Sequence, residues 1–493
     1  MSPIDGSPTP VRDTTPSLPG LWHLVPAALL AVGVGIVASL DPLVAPLLDL
    51  DLFGYQVERI VPYLLTVSIV VLCCALTFLV TASARLFALR YQILTGLLVL
   101  APIFPAIGVG RLNITDVVFL AALIALLAIA FMERIPLRAP LPLVLLLMAL
   151  AALAVTSIVN GRITSMLSEH ILLSKFLWLL LMSFLIMGPR LLRLACNCLI
   201  AGAAISSVLA IASQIVFFTT GMILAFGDDA NRFKETPLGM AMRATAFQPT
   251  AHALAHLLTL ALALTLMLRL RNWQKLVLVP LLALGIGTCF TTGGFLVLGA
   301  LLALAPFLLR PNRTVLYLLA ALSGAVVLYL LGGMAWVVDN FLSAMGGSGF
   351  EERAELMRWG VAAIHRHPIL GIGVRNFLSM YDQVVHCAYV QVAVELGLPA
   401  GVIFTSIVAF FLGACAFLAA SGTRSLRQLF KGLLLGMATL AVMALFEPIY
   451  DNSVTWMFLG LVTSAVTLGL RRASAGRVKV PETAVSAGRP QGG

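Results

Sequence analysis

The chain has 493 residues, of which 60% are hydrophobic and only 11% charged, with a net charge of +10. A water-soluble domain is about half apolar and about a quarter charged, so this composition excludes an ordinary soluble enzyme and makes a bilayer the solvent. The basic residues are spread over short loops and not gathered on one face, which suits topogenic Lys and Arg and argues against a nucleic-acid partner.

Residues 1–20 are rich in Pro, Ser and Thr with a single Arg. They lack the basic start of a secretory signal and read as a disordered cytoplasmic tail. Apolar runs then follow in series. Each must form a helix, because backbone polar groups in hydrocarbon have to satisfy one another. A hydropathy window of ~19 residues gives about fourteen spans. They lie near residues 21–40, 60–80, 87–107, 114–131, 141–159, 171–188, 195–226, 249–268, 275–291, 294–309, 314–332, 397–420, 432–447 and 453–470. The seventh is overlong and is expected to leave the bilayer near residues 217–221. The run 275–309 is too long for one crossing at ~1.5 Å per residue, and it divides at Thr291-Thr292-Gly293-Gly294. Residues 471–493 read as a second tail.

Alternate loops set the orientation. One set is uniformly basic and includes Arg134 and Arg138, Arg269, Arg271 and Lys275, and Arg424, Arg427 and Lys431. The other is mixed or acidic, with Asp41, Asp49, Asp51 and Glu58 in its first loop and Glu447 and Asp451 in its last. The basic set is cytoplasmic by the positive-inside rule, so both termini are expected inside. The expected fold is an all-α integral membrane bundle. Spans 1–11 fill residues 21–332, a large periplasmic helical loop subdomain fills 333–395, and spans 12–14 fill 396–470. Six of the seven cysteines fall within apolar runs and fit neither a disulfide framework nor a zinc site.

Two outer segments are long, 227–247 and 333–395, and long loops on a helical scaffold tend to carry function. Ser348-Gly-Phe-Glu351 reads as a capping box, opening a helix that Pro368 stops near His367. At 100° per residue, Leu356, Met357, Gly360, Val361 and Ile364 share one face, and Glu351, Glu352, Glu355, Arg358, His365 and Arg366 share the other. Arg353 falls on the apolar face. A cation there needs a structural carboxylate, a route to water or an anionic substrate. Pro368-Ile-Leu-Gly-Ile-Gly373 forms a glycine-permitted turn, followed by Arg375, Asn376 and Phe377. His386 stands where an outer helix begins to approach the membrane. Structural hydrogen bonding is the plainer role, and base catalysis near neutral pH is the alternative. His252 and His256 share a face of the eighth span, where helix–helix hydrogen bonding is preferred over metal binding. Asp116, Lys175 and Glu447, near span ends, read as solvated.

In order, the outer loop presents Arg353, the Pro368–x–x–Gly371–x–Gly373 turn, Asn376-Phe377, His386, and Glu395 with Gly397. Arg243-Ala-Thr-Ala-Phe-Gln-Pro249-Thr250 precedes the eighth span. Over residues 243–401 this pattern resembles the O-antigen ligase and polymerase family of polytopic membrane glycosyltransferases. Two positions depart from that family: Cys387 follows His386 where Asn is usual, and the Thr291–Gly294 turn lacks the arginine of a Ser-Arg-Gly turn. The resemblance implies a metal-independent and cofactor-free transfer of glycan from an undecaprenyl-diphosphate carrier at the periplasmic face of the bacterial inner membrane. It implies membrane lipid and other polysaccharide-assembly proteins as partners. Arg243, Arg353 and Arg375 would bind the diphosphate, since guanidinium presents a planar fork to phosphate oxygens. His386 would act as base, with Asn376, Tyr389 and Glu395 in support. Polymerase is preferred over a ligase acting on a lipid or protein acceptor, and a flippase of lipid-linked sugars is the rival of another class.

Overall fold

The computed structural model describes residues 84–104, 108–109, 112–113, 188–222, 233–236, 239–309, 348–373, 376–381, 383–421 and 424–477. The spans expected near 21–40, 60–80, 114–131, 141–159 and 314–332, all but the last residue of 171–188, the first tail, residues 478–493 of the second and Arg375 lie outside these residues, whereas residues 471–477, expected in the disordered tail, are helical.

The described chain is overwhelmingly helical. Helices α1 (Ala84–Leu100), α2 (Pro189–Thr220), α3 (Ala251–Met267), α4 (Asn272–Thr288) and α5 (Thr292–Leu309) precede the outer loop. The loop holds α6 (Ser348–Arg366), α7 (Asn376–Tyr381) and α8 (Ala388–Leu396). Helices α9 (Leu398–Ser421), α10 (Arg424–Phe446) and α11 (Ser453–Arg477) follow. Among the described residues, α2, α9, α10 and α11 are long and apolar enough to cross a membrane, and α1, α3 and α5 contain shorter apolar stretches. The length and apolar composition of these four helices suggest a membrane protein.

Helix α3 is the hub. All but two of its residues are buried, and it packs against α2, α4, α5 and α10. A helix apolar all round can sit only where neighbours surround it. Thr250 caps it, accepting a hydrogen bond from the Ala253 N–H at 3.1 Å. The split of the long apolar run falls where its small polar residues allow. Helix α4 ends at Thr288, α5 begins at Thr292, and Thr291 Oγ1 accepts from the Gly294 N–H at 3.1 Å.

Several helices outrun their apolar windows. Helix α2 begins at Pro189 and α10 at Arg424, each several residues before the expected span, and α11 continues to Arg477. Pro at the first turn and basic residues at a helix end are compatible with helix but not with hydrocarbon, so the window clips them.

The all-α expectation needs one amendment. Two small antiparallel hairpins are present, β1 (Gly108–Val109) with β2 (Leu112–Asn113), and β3 (Phe233–Thr236) with β4 (Gly239–Met242). The second lies in the outer segment before α3. It is tied to the bundle by the Ala244 N–H, which donates to the Thr288 carbonyl at 3.0 Å, and by Gln214 Nε2, which donates to the Met242 carbonyl.

The outer loop has a core of its own, formed by Leu356, Ile372, Phe377, Val385, Cys387 and Val394. Helix α6 lies on α8 through Gly360, where a Cβ would meet Val385 and Val394 at 3.2 Å. Glu351, Glu355, Arg358, His365 and Arg366 are exposed, and Leu356 and Gly360 are buried, in keeping with the helical wheel. Val361 is exposed, not buried, because α8 covers a narrower stripe than the wheel allows.

Candidate functional site

One end of the α3–α4–α5–α10 group collects polar side chains. Helix α3 starts there, α4 ends there, α5 starts there and α10 ends there. At 17 residues and about 1.5 Å per residue, α3 sets the opposite end about 25 Å away. That far end holds the basic residues. Arg269 Nε donates to Gln428 Oε1 at 2.5 Å, Lys275 Nζ donates to the Leu266 carbonyl at 2.7 Å, and Lys431 Nζ donates to the Leu308 carbonyl.

At the polar end Arg243 and His252 meet across one turn of chain. Arg243 Nη2 stands 2.9 Å from His252 Nε2. Arginine has donors only, so Nε2 accepts this hydrogen bond. Nδ1 in turn lies 2.6 Å from Glu447 Oε1. The contact is close but off-line for an aligned hydrogen bond, and we treat it as an electrostatic pair. The result is a row of guanidinium, imidazole and carboxylate drawn from the approach to α3, its first turn and the end of α10.

Glu447 is 2% exposed, which corrects its reading as a solvated loop charge. The small residues at the start of α5 make room for it. A Cβ on Gly293 would lie 3.2 Å from Glu447 Oε1. Burial pushes the Glu447 carboxyl up, but His252 beside it, then His386 and Arg353, more than offset this and hold it below its usual range. His386 and Arg353 are therefore within Coulombic reach of the same carboxylate that seats His252. Of the residues singled out in the sequence, Arg353 and His386 lie within electrostatic range of Glu447, and Arg243 is joined to it through His252.

The three supporting residues have structural contacts. Glu395 is fully buried and accepts hydrogen bonds from Tyr450 Oη and, at 3.1 Å, from Gln391 Nε2. It fastens α8 to the connection between α10 and α11. Tyr389 Oη donates to the Ala441 carbonyl at 3.3 Å. Burial, with the Cys387 thiol nearby, pushes that phenol up to about 12, so it stays neutral. Asn376 Nδ2 donates to the Ile372 carbonyl at 2.6 Å and closes the glycine turn.

His256 does not pair with His252. Its Nε2 stands 3.1 Å from Thr455 Oγ1, joining α3 to α11, while the His252 ring is engaged by Arg243 and Glu447. Helix-to-helix hydrogen bonding is thus the role of His256. His252, Glu447 and Gly293 are the site residues that sequence reasoning passed over. The signal for them was an ionisable residue next to an apolar run on the same face as Arg243, a default pointer to function.

No protein-family model matches the chain, and no curated protein matches it significantly.

Proposed function

We propose that the protein is a membrane glycosyltransferase of cell-surface polysaccharide assembly. It polymerises or ligates glycan repeat units carried on undecaprenyl diphosphate, at the periplasmic face of the bacterial inner membrane. The observation that carries this reading is the buried carboxylate of Glu447, which faces His252, the partner of Arg243, and lies within electrostatic range of Arg353 and His386. These groups come from segments far apart in sequence. They lie at the end of the bundle opposite Arg269, Lys275 and Lys431, and the positive-inside rule assigns that basic end to the cytoplasm.

The chemistry follows from the residue types. An acceptor hydroxyl oxygen forms a bond to the anomeric carbon, and the bond from that carbon to the diphosphate oxygen breaks. The electron pair leaves with the lipid diphosphate, and the hydroxyl proton passes to His386. Negative charge grows on the leaving diphosphate, where Arg243 and Arg353 act. Fixed cations aimed at developing charge supply a large share of catalysis. Glu447 lies within electrostatic range of Arg353 and offsets part of its charge. Arg375 is a further diphosphate ligand in this reading, and Asn376, Tyr389 and Glu395 keep the loop seated over the bundle.

Deleting the protein and sizing the surface polysaccharide tests the proposal. Single repeat units identify a polymerase, and long chains left on the lipid carrier identify a ligase. Repeat units trapped on the cytoplasmic side would mean a flippase and overturn the assignment.

A further inference from the structure

We infer that Trp359 is a sugar-stacking platform: its open ring, flanked on α6 by Glu355 and Arg366, takes a pyranose of the glycan. The inference rests on the reading of the protein as a glycosyltransferase of a lipid-linked glycan, and it adds the surface that holds the sugar.

Three rings form a ladder that rises out of the outer-loop core. Phe377, at its base, is fully buried, and its ring centroid is 4.6 Å from that of Tyr381. Tyr381 is stacked on Trp359 at 4.7 Å, with 23° between the planes. Trp359, at the top, is 39% exposed. Tyr381 thus covers one face of the indole and fixes its attitude, while the rest of the ring stays open. So large an apolar ring gains by burial, so its exposure calls for a partner. A pyranose fits. The C–H bonds on one side of a sugar ring form an apolar surface that suits the negative face of an aromatic ring, and its hydroxyls form a polar rim. At 100° per residue, Glu355, Ala362 and Arg366 share the Trp359 side of α6, and all three are exposed. Glu355 offers acceptors and Arg366 a fork of donors to sugar hydroxyls, and the small Ala362 leaves the ring uncovered. A ring held in place beforehand loses little freedom on binding.

Its position suits the same reading. Trp359 is six positions from Arg353, about 9 Å along α6 and about a third of a turn round it. A glycan whose diphosphate lies at Arg353 has its sugars within reach of Trp359. A lipid surface is the other partner an exposed tryptophan can have. The neighbours argue against it. Helices that lie on membranes are basic on their polar side, whereas here the Glu351 and Glu355 carboxylates are exposed on the same helix.

Oligosaccharides released from the surface polysaccharide of the cells that make the protein are the probe. They are titrated into the purified full-length protein in lipid nanodiscs, for wild type, W359F, W359A and E355A. W359A is expected to bind about tenfold more weakly than wild type, with W359F between the two because a smaller aromatic face remains. E355A removes an exposed side chain and no core contact, and it is expected to lose about tenfold, the worth of one hydrogen bond to a charged group. Wild-type affinity in W359A or E355A overturns the inference, as does W359F binding no better than W359A, or wild type binding no oligosaccharide. Nanodiscs of brominated lipid test the lipid alternative. Quenching of the Trp359 fluorescence, taken as wild type minus W359F, would place the ring in the bilayer and also overturn the inference. Each of these outcomes leaves the glycosyltransferase reading standing. An unchanged surface polysaccharide in the deletion strain would instead remove that reading.

Discussion

Gly371 and Gly397 face each other across a backbone contact that leaves no room for a side chain on either. Gly371 has φ +65°, and a Cβ there would meet the Glu395 carbonyl group and lie 2.6 Å from the Gly397 nitrogen. Gly397 has φ +93°, and a Cβ there would run into the Ile369 carbonyl. Three hydrogen bonds knit the two segments of chain, and a fourth lies within the turn. The Ile372 N–H donates to the Val394 carbonyl at 2.9 Å, and the Gly373 N–H to the Glu395 carbonyl at 2.9 Å. The Leu398 N–H donates to the Pro368 carbonyl at 2.8 Å, and within the turn the Gly371 N–H donates to the His367 carbonyl at 3.1 Å. The two glycine motifs of the outer loop are thus the two halves of one joint, which locks α6 and α8 to the start of α9.

Substituting either glycine with alanine is expected to loosen this joint. The left-handed backbone and the overpacking together cost about 2 kcal/mol or more. Limited proteolysis of G371A and G397A should show faster cleavage within residues 348–395 than in wild type. Equal cleavage rates would remove the joint as a stability determinant.

The charge of Glu447 makes part of the stability pH-dependent. Its carboxyl is held below the ordinary value of 4.5 in the folded protein. A depressed carboxyl contributes stability that is present above the unfolded value and is lost as pH falls through the folded one. E447Q is therefore expected to melt below wild type at neutral pH, by about 3 kcal/mol, because His252 loses the buried carboxylate it faces. The gap should narrow as the pH falls below 4.5 and through the lower value of the folded protein. Thermal unfolding of both proteins in detergent across that range provides the measurement.

Gly293 offers a gentler probe of the same carboxylate. An alanine Cβ would lie 3.2 Å from Glu447 Oε1 and 3.4 Å from its Cγ, so the glutamate must shift by a few tenths of an ångström. G293A is expected to insert normally and to lose transfer activity by about tenfold, since small misplacements of a preorganised site are costly. Unchanged turnover in proteoliposomes would show that the exact seat of Glu447 is unimportant.

Lysine is expected to fail in place of either site arginine. Arg243 and Arg353 present planar forks, and an ammonium is a point charge on a flexible stem. R243K and R353K should each lose about a hundredfold in turnover of a polyprenyl-diphosphate glycan, with insertion intact. Near-native rates in either variant would show that charge alone suffices at that position.

Much of this architecture could be read from the amino acids. The expected helix opening at Ser348 runs to Arg366, and the division of residues 275–309 falls at Thr291. Both depend on local rules: a stop at Pro368, and small polar residues that end one helix and cap the next. The β3–β4 hairpin escaped because its strands are four residues long and carry no apolar alternation. The Thr236-Pro-Leu-Gly239 turn was its only cue. Glu447 escaped for a different reason. Its burial depends on α3, α5 and α10 meeting at one point, and a lone acid at a span end looks the same in sequence whether buried or solvated. Arg353 was left open among three explanations, and its place within electrostatic reach of the Glu447 carboxylate accounts for a cation on an apolar helix face.

The central claim concerns His386. The H386A variant, expressed in the deletion strain and inserted at wild-type level, is compared with the native protein by sizing the surface polysaccharide. Removing the base is expected to lower transfer by about a thousandfold, leaving the glycan profile of the deletion strain. A wild-type chain-length distribution in that strain would contradict the account.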